Sequence, residues 1–324
     1  MKKSTLVVLF GVVMLAIIVS PVQSFGAPLD RAGLLKLADD YFAALVAHNP
    51  KAVPLADNIK IVENVKRIQP GDGIWKTASS VPSAFKIVIP DTVAQQVGGI
   101  VIMDFGGKPA QFGFRLKYEN DKITEAEHLV VDISNPNNPM LQSVRPAIPM
   151  EVPYEYRDSR GRLIWIAKSY YDALDWNNGS LSPFASDCER RENGMRTAPF
   201  GGPSLGGAGI PGAKPGPQSL LGMQDCASQL NTGTFQYIDT IENRRVFAAD
   251  ELTGLAVGFS HFHHSMKEKK FKIVNVPGRE ESDMSNQQPF DMPAMHIYKI
   301  WGGQIHEIEA IGIMSEYGSP TGWE

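Results

Sequence analysis

The stretch Leu35 to Arg67 recurs without a gap as Ile164 to Arg196, at a constant offset of 129. The identical pairs are Ala38/Ala167, Tyr41/Tyr170, Ala44/Ala173, Leu45/Leu174, Asn49/Asn178, Pro54/Pro183, Ala56/Ala185, Glu63/Glu192, Asn64/Asn193 and Arg67/Arg196. The far ends agree too. Arg115-Leu116 followed by Ile123 to Glu127 matches Lys299-Ile300 followed by Ile305 to Glu309, both with Ile-x-Glu-x-Glu alternation, the period of a strand. Agreement at both ends implies two copies of one domain. At 324 residues the chain is long enough for each copy to bury a core.

Each copy reads as a helix followed by strands. In the first, Leu34, Leu37, Ala38, Tyr41, Phe42 and Leu45 form one apolar helix face, and Asn49-Pro50 ends the helix. Strand-like runs follow at 59–63, 85–89, 99–105, 110–118 and 123–132, with Asn120-Asp121 as a turn and 75–80 as a link. In the second, Ile166, Ala167, Tyr170, Tyr171 and Leu174 form the face, Asn178-Gly179 stops the helix, and a strand runs from Phe184 to Glu192 into the turn Asn193-Gly194. Arg244-Arg245 is read as opening a strand over 246–249. The expected class is α+β. The copies divide as 28–134 and 154–324, joined by a proline-rich linker over 135–153. Two insertions mark the second copy: a Gly/Pro-rich segment over 199–222, read as a pocket lid or a surface loop, and a polar one over 276–293.

Lys2-Lys3, an apolar run from Leu6 to Val19 and small residues up to Ala27 read as a cleaved export signal over residues 1–27. The expected location is periplasmic or secreted, with no stable membrane anchor after cleavage. An oxidising compartment suits the two cysteines, Cys188 and Cys226, which are expected to pair and tether the Gly/Pro-rich segment. A net charge of −4 argues against a nucleic-acid partner. The glycine-rich segment lacks the spacing of a phosphate loop, so nucleotide binding is disfavoured.

The repeat, with its inward helix Tyr and acid-ended strand, resembles the SnoaL-like, nuclear transport factor 2-like superfamily, which includes ketosteroid isomerase, scytalone dehydratase and polyketide cyclases. The resemblance implies two tandem cone-shaped α+β barrels, each a curved antiparallel sheet closed by N-terminal helices around an apolar pocket. Carried over by position, the family's helix Tyr falls on Tyr170, its strand-end base on Glu192 and its late-strand acid donor on His296. The replacement of Asp by Glu and of the acid by His means that steroid isomerisation is not implied. In the first copy the same positions fall on Tyr41, Glu63 and Phe112, and Phe112 neither titrates nor donates. The resemblance thus implies a cofactor-independent lyase, isomerase or hydrolase acting on a small apolar, or aromatic, molecule, with Glu192 as base and Tyr170 and His296 as hydrogen-bond partners. The alternative is a non-catalytic binding or accessory protein, with homo-oligomerisation left open.

Further residues are substrate-binding candidates. Strict alternation puts Cys188, Arg190 and Glu192 on one strand face, so that Arg190 pairs with Glu192 or holds an anionic substrate, with Asp187 in the same run. His261 and His263, in His261-Phe262-His263-His264, share a face as pocket-lining imidazoles or as a polar strand end. Their spacing also suits a zinc pair with His296 or Glu309 as third ligand, but no further metal motif supports that, and no metal is expected. The competing readings are an acid capping the Asn193-Gly194 turn for Glu192, a core tyrosine for Tyr170 and a strand-surface histidine for His296.

Overall fold

The computed structural model describes residues 27–199 and 223–324. Residues 1–26 of the expected export signal (1–27) and residues 200–222 of the expected lid (199–222) lie outside the described residues. The class is α+β, with few helices and two large curved sheets.

The first half opens with α1 (Arg31–Val46). Asp30 caps it by accepting the Gly33 amide, and its buried face carries the apolar residues expected from the sequence. His48, at φ 52°, turns the chain out of the helix. Then come β1 (Leu55–Glu63), β2 (Lys66–Ile68), β3 (Lys86–Asp91), β4 (Gln96–Phe105), β5 (Lys108–Glu119) and β6 (Lys122–Asp132). They pair in the order β2-β1-β6-β5-β4-β3. The second half repeats this with α2 (Arg160–Asp175), capped by Ser159, and β7 (Phe184–Glu192), β8 (Met195–Ala198), β9 (Thr240–Asp250), β10 (Leu255–His264), β13 (Phe290–Trp301) and β14 (Gln304–Gly312). Their order is β8-β7-β14-β13-β10-β9. A short helix, α3 (Cys226–Leu230), precedes β9. The hairpin β11 (Lys270–Lys272) with β12 (Glu281–Asp283) extends from this sheet, and β15 (Ser315–Glu316) adds to β13.

Several expectations are corrected. Neither sheet closes into a barrel: β2 and β3 each have one hydrogen-bonded neighbour, as do β8 and β9. The helices α1 and α2 pack against β3 and β9 instead, burying the open side without completing a ring of strands. The sheets are not wholly antiparallel either. β1 lies parallel to β6, and β7 parallel to β14, because each first strand is separated from its neighbour by a complete meander. The first strand starts at Leu55 rather than residue 59, and Arg244-Arg245 falls inside β9 rather than opening it. In the segment between the two halves, Leu141, Ile148 and Val152 are buried.

Three apolar clusters hold the chain. One fills the space between α1 and the first sheet and another that between α2 and the second. The third lies between the two sheets, with Ile87, Ile100 and Leu129 against Phe247, Val257 and Ile297. Both faces of the central strands are therefore buried. The contact is reciprocal at its rim. Arg31, the first residue of α1, reaches Asp250 at the end of β9 at 2.7 Å, while Arg160, the first residue of α2, reaches Asp91 at the end of β3 at 2.7 Å. Such exchange of equivalent contacts is the pattern of a two-fold interface, here made within one chain.

Candidate active site

The turn Asn120-Asp121 in the first half and Gly302-Gly303 in the second both have positive φ, which fixes the hairpins β5–β6 and β13–β14 in the same register. Glu63 pairs with His128 across β1–β6, and Glu192 pairs with Ala310 across β7–β14. His128 in turn pairs with Phe114, and Ala310 with His296. The residue equivalent to His296 is thus Phe114, not Phe112. More consequentially, the first half places an imidazole where the second has a methyl group.

The surroundings of this position differ between the halves. In the first half the Tyr41 hydroxyl bonds His128 Nε2 at 2.9 Å, and His128 Nδ1 lies 3.3 Å from Glu63 Oε2. Glu63 also accepts the Ile74 amide at 3.0 Å, so its carboxylate is held by its own neighbours. In the second half Ala310 leaves that space open, and a cavity of about 220 Å³ lies beside it. Its walls are mainly apolar, among them Phe235, Tyr237, Phe262 and Ile311, while Glu192, His264 and His296 bring polar groups to it.

Glu192 and His296 therefore line one cavity. Tyr170 does not line it. The tyrosine is fully buried behind His296, ring centroids 5.5 Å apart, where Tyr171 also meets the imidazole edge-on at 5.4 Å. Burial pushes the Tyr170 hydroxyl well above its ordinary range, against the pull of the Arg190 guanidinium beside it, with the Glu192 carboxylate adding to the rise. Its ring packs against the imidazole. His296 is 4% exposed; burial, aided by the Arg190 charge, lowers its pKa to about 3. It is a neutral imidazole at neutral pH, with one donating and one accepting nitrogen.

Arg190 shares its strand face with Cys188 and Glu192, in keeping with the period of two. It is a core residue, 1% exposed, and it replaces Ile61 of the first half. Its Nε lies 3.3 Å from Glu192 Oε1 and donates to Thr197 Oγ1 at 3.0 Å; the guanidinium also bonds Gln229 and lies over the Phe235 ring at 5.2 Å. It holds Glu192 and is not among the residues lining the cavity. The Glu192 side chain is 38% exposed at the cavity rim.

Three substrate-binding candidates lie elsewhere. Asp187 points away from the cavity, 65% exposed, and pairs with His306 at 2.7 Å. His261 and His263 fall on the other face of β10, because alternation groups them apart from Phe262 and His264. His264 is the histidine of that cluster at the cavity, stacked on Phe290 at 4.1 Å and lowered by burial to about 4. Its signal was present in the sequence, since it shares the period of the apolar Phe262. The third metal ligands considered, His296 and Glu309, are also misplaced. His296 faces the cavity, and Glu309 pairs with Arg145 at 3.1 Å.

The disulfide Cys188–Cys226 is present. It is buried in the core of the second half and ties β7 to α3. Through α3 it fixes Gln229 against Arg190, and with it the segment carrying Phe235 and Tyr237.

A family model described as a domain of unknown function (DUF8021) matches residues 156–312, from before α2 to the end of β14. No curated protein matches the chain in sequence. Among solved structures, a candidate ketosteroid isomerase from Kribbella flavida DSM 17836 aligns at 14% identity and TM-score 0.26, covering 37% of this chain and 90% of its own. A candidate polyketide cyclase from Xanthomonas campestris pv. campestris aligns at 17% identity and TM-score 0.27, covering 47% and 90%.

Proposed function

We propose that the cavity of the second half binds a small apolar molecule and moves a proton on it without a cofactor. The observation that carries this is the convergence of Glu192 and His296 on one apolar cavity. Glu192 takes a proton from carbon next to a carbonyl group. The carbonyl oxygen becomes an enolate oxygen and accepts a hydrogen bond from the neutral His296 N–H. Return of the proton at another carbon gives an isomerase; loss of a neighbouring leaving group gives a lyase. Tyr170 and Arg190 hold the two reacting side chains. The first half, with its corresponding space filled by His128, serves as packing partner, and the chain is read as a duplicated domain paired with itself. The disulfide and the N-terminal apolar run support an exported, periplasmic or secreted protein.

The Arg190–Glu192 pair favours a second reading, a site that binds without turnover, because the carboxylate already has an ionic partner. Hydrogen–deuterium exchange into small aromatic and aliphatic ketones, followed by NMR in D2O, separates the two. Under the catalytic reading, a ketone that binds also exchanges at its α-carbon, and Glu192→Gln lowers that rate about 10²–10⁴-fold while binding persists. Binding with no exchange, or exchange unchanged in Glu192→Gln, refutes it in favour of the binding protein.

A further inference from the structure

The face of β10 turned away from the cavity carries a second polar cluster. His261 and His263 stand two residues apart with parallel rings, centroids 4.8 Å apart and planes inclined by 6°. On the neighbouring strand, Asp291 is the cross-strand partner of His263 and is fully buried. Its Oδ1 lies 2.9 Å from His263 Nδ1 and its Oδ2 3.5 Å from His261 Nε2. One ligand atom from each of the three side chains falls within 4.8 Å of the others. None of these atoms serves the cavity.

We propose that His261, His263 and Asp291 bind a divalent transition-metal cation, using Nε2, Nδ1 and a carboxylate oxygen. Two imidazoles with one carboxylate suit zinc, cobalt or iron(II); calcium and magnesium prefer oxygen alone. The outer groups suit the same role. Asp291 Oδ2 accepts the amides of Gly318 at 2.8 Å and Ser319 at 3.2 Å, which hold the carboxylate in place. His263 Nε2 faces the Glu242 carboxylate at 3.7 Å. When the metal takes the Nδ1 lone pair, the imidazole proton sits on Nε2, and a shift of a few tenths of an ångström lets the Glu242 carboxylate accept a hydrogen bond from it, the carboxylate–histidine–metal arrangement of protein metal sites. His261 Nε2, now 3.4 Å from the Ser319 hydroxyl, exchanges that contact for the metal. The bound ion joins β10 to β13, the strands whose opposite faces carry His264 and His296.

The test uses the full chain, stripped with EDTA and titrated with Co2+ and then Zn2+. About one Co2+ per chain is expected to give visible ligand-field bands, which Zn2+ abolishes. His263→Ala and His261→Gln should each weaken Co2+ binding more than tenfold, and Glu242→Gln about tenfold. His306→Ala, which removes a histidine paired with Asp187 away from the cluster, should leave it unchanged. Absence of the bands, or bands that persist in both His263→Ala and His261→Gln, overturns the proposal. Both variants keep Asp291 and its bonds to the C-terminal segment, so the test does not depend on removing the fully buried carboxylate.

Discussion

Lowering the pH from 7 to 4 should destabilise this protein through His296 in particular. A free histidine titrates near 6.5, whereas burial and the Arg190 charge hold His296 at about 3. Above pH 6.5 neither the folded nor the unfolded chain protonates this group, and it adds no pH dependence. Between 6.5 and 3 the unfolded chain carries a proton that the folded one lacks, so stability falls as the pH falls. The slope is about 1.4 kcal/mol per pH unit, and by pH 4 the loss amounts to about 3 kcal/mol. Urea unfolding of the oxidised protein at pH 7 and pH 4, followed by tryptophan fluorescence, measures the loss. His296→Gln removes the titration while keeping a polar side chain of similar reach. The parent protein should lose about 3 kcal/mol more than the variant between the two pH values. His264 loses stability in the same direction, but it is present in both proteins and cancels in the difference. Equal losses in the two proteins would refute the assignment of a buried, neutral imidazole.

Two other outcomes follow from the same geometry. Replacing Cys188 and Cys226 together by Ala removes a cross-link spanning 38 residues and should cost about 4 kcal/mol in urea unfolding, with Arg190 and the Phe235–Tyr237 segment loosened; a change below about 1 kcal/mol would refute the role given to the bridge. Ala310→His should rebuild in the second half the arrangement of His128, fill the cavity and abolish small-molecule binding, at a stability cost of about 1–3 kcal/mol read by thermal unfolding; undiminished binding would place the ligand site elsewhere.

The sequence by itself determined whatever depends on local period and on the repeat. The helix faces around Tyr41 and Tyr170 are legible because apolar residues return every three or four positions. The inward face shared by Cys188, Arg190 and Glu192 follows from the strand period of two, and the α+β class follows from helix and strands recurring at an offset of 129. The disulfide was legible from two cysteines in a chain with an export-like start. Which residues meet across the fold was not legible, because register between strands is set by turns far from the site. The turns at Asn120-Asp121 and Gly302-Gly303 move the first-half equivalent of His296 from Phe112 to Phe114. They also bring His128 from a strand that no local pattern connects to Tyr41. The same limit placed His261 and His263 at the pocket, since alternation separates faces but does not say which face a distant element will cover. Tertiary structure alone placed His128 between Tyr41 and Glu63 in the first half and, among the described residues, an apolar cavity beside Glu192 and His296 in the second. His128 and Ala310 stand at corresponding positions there, a correspondence visible only once β1 lies against β6 and β7 against β14.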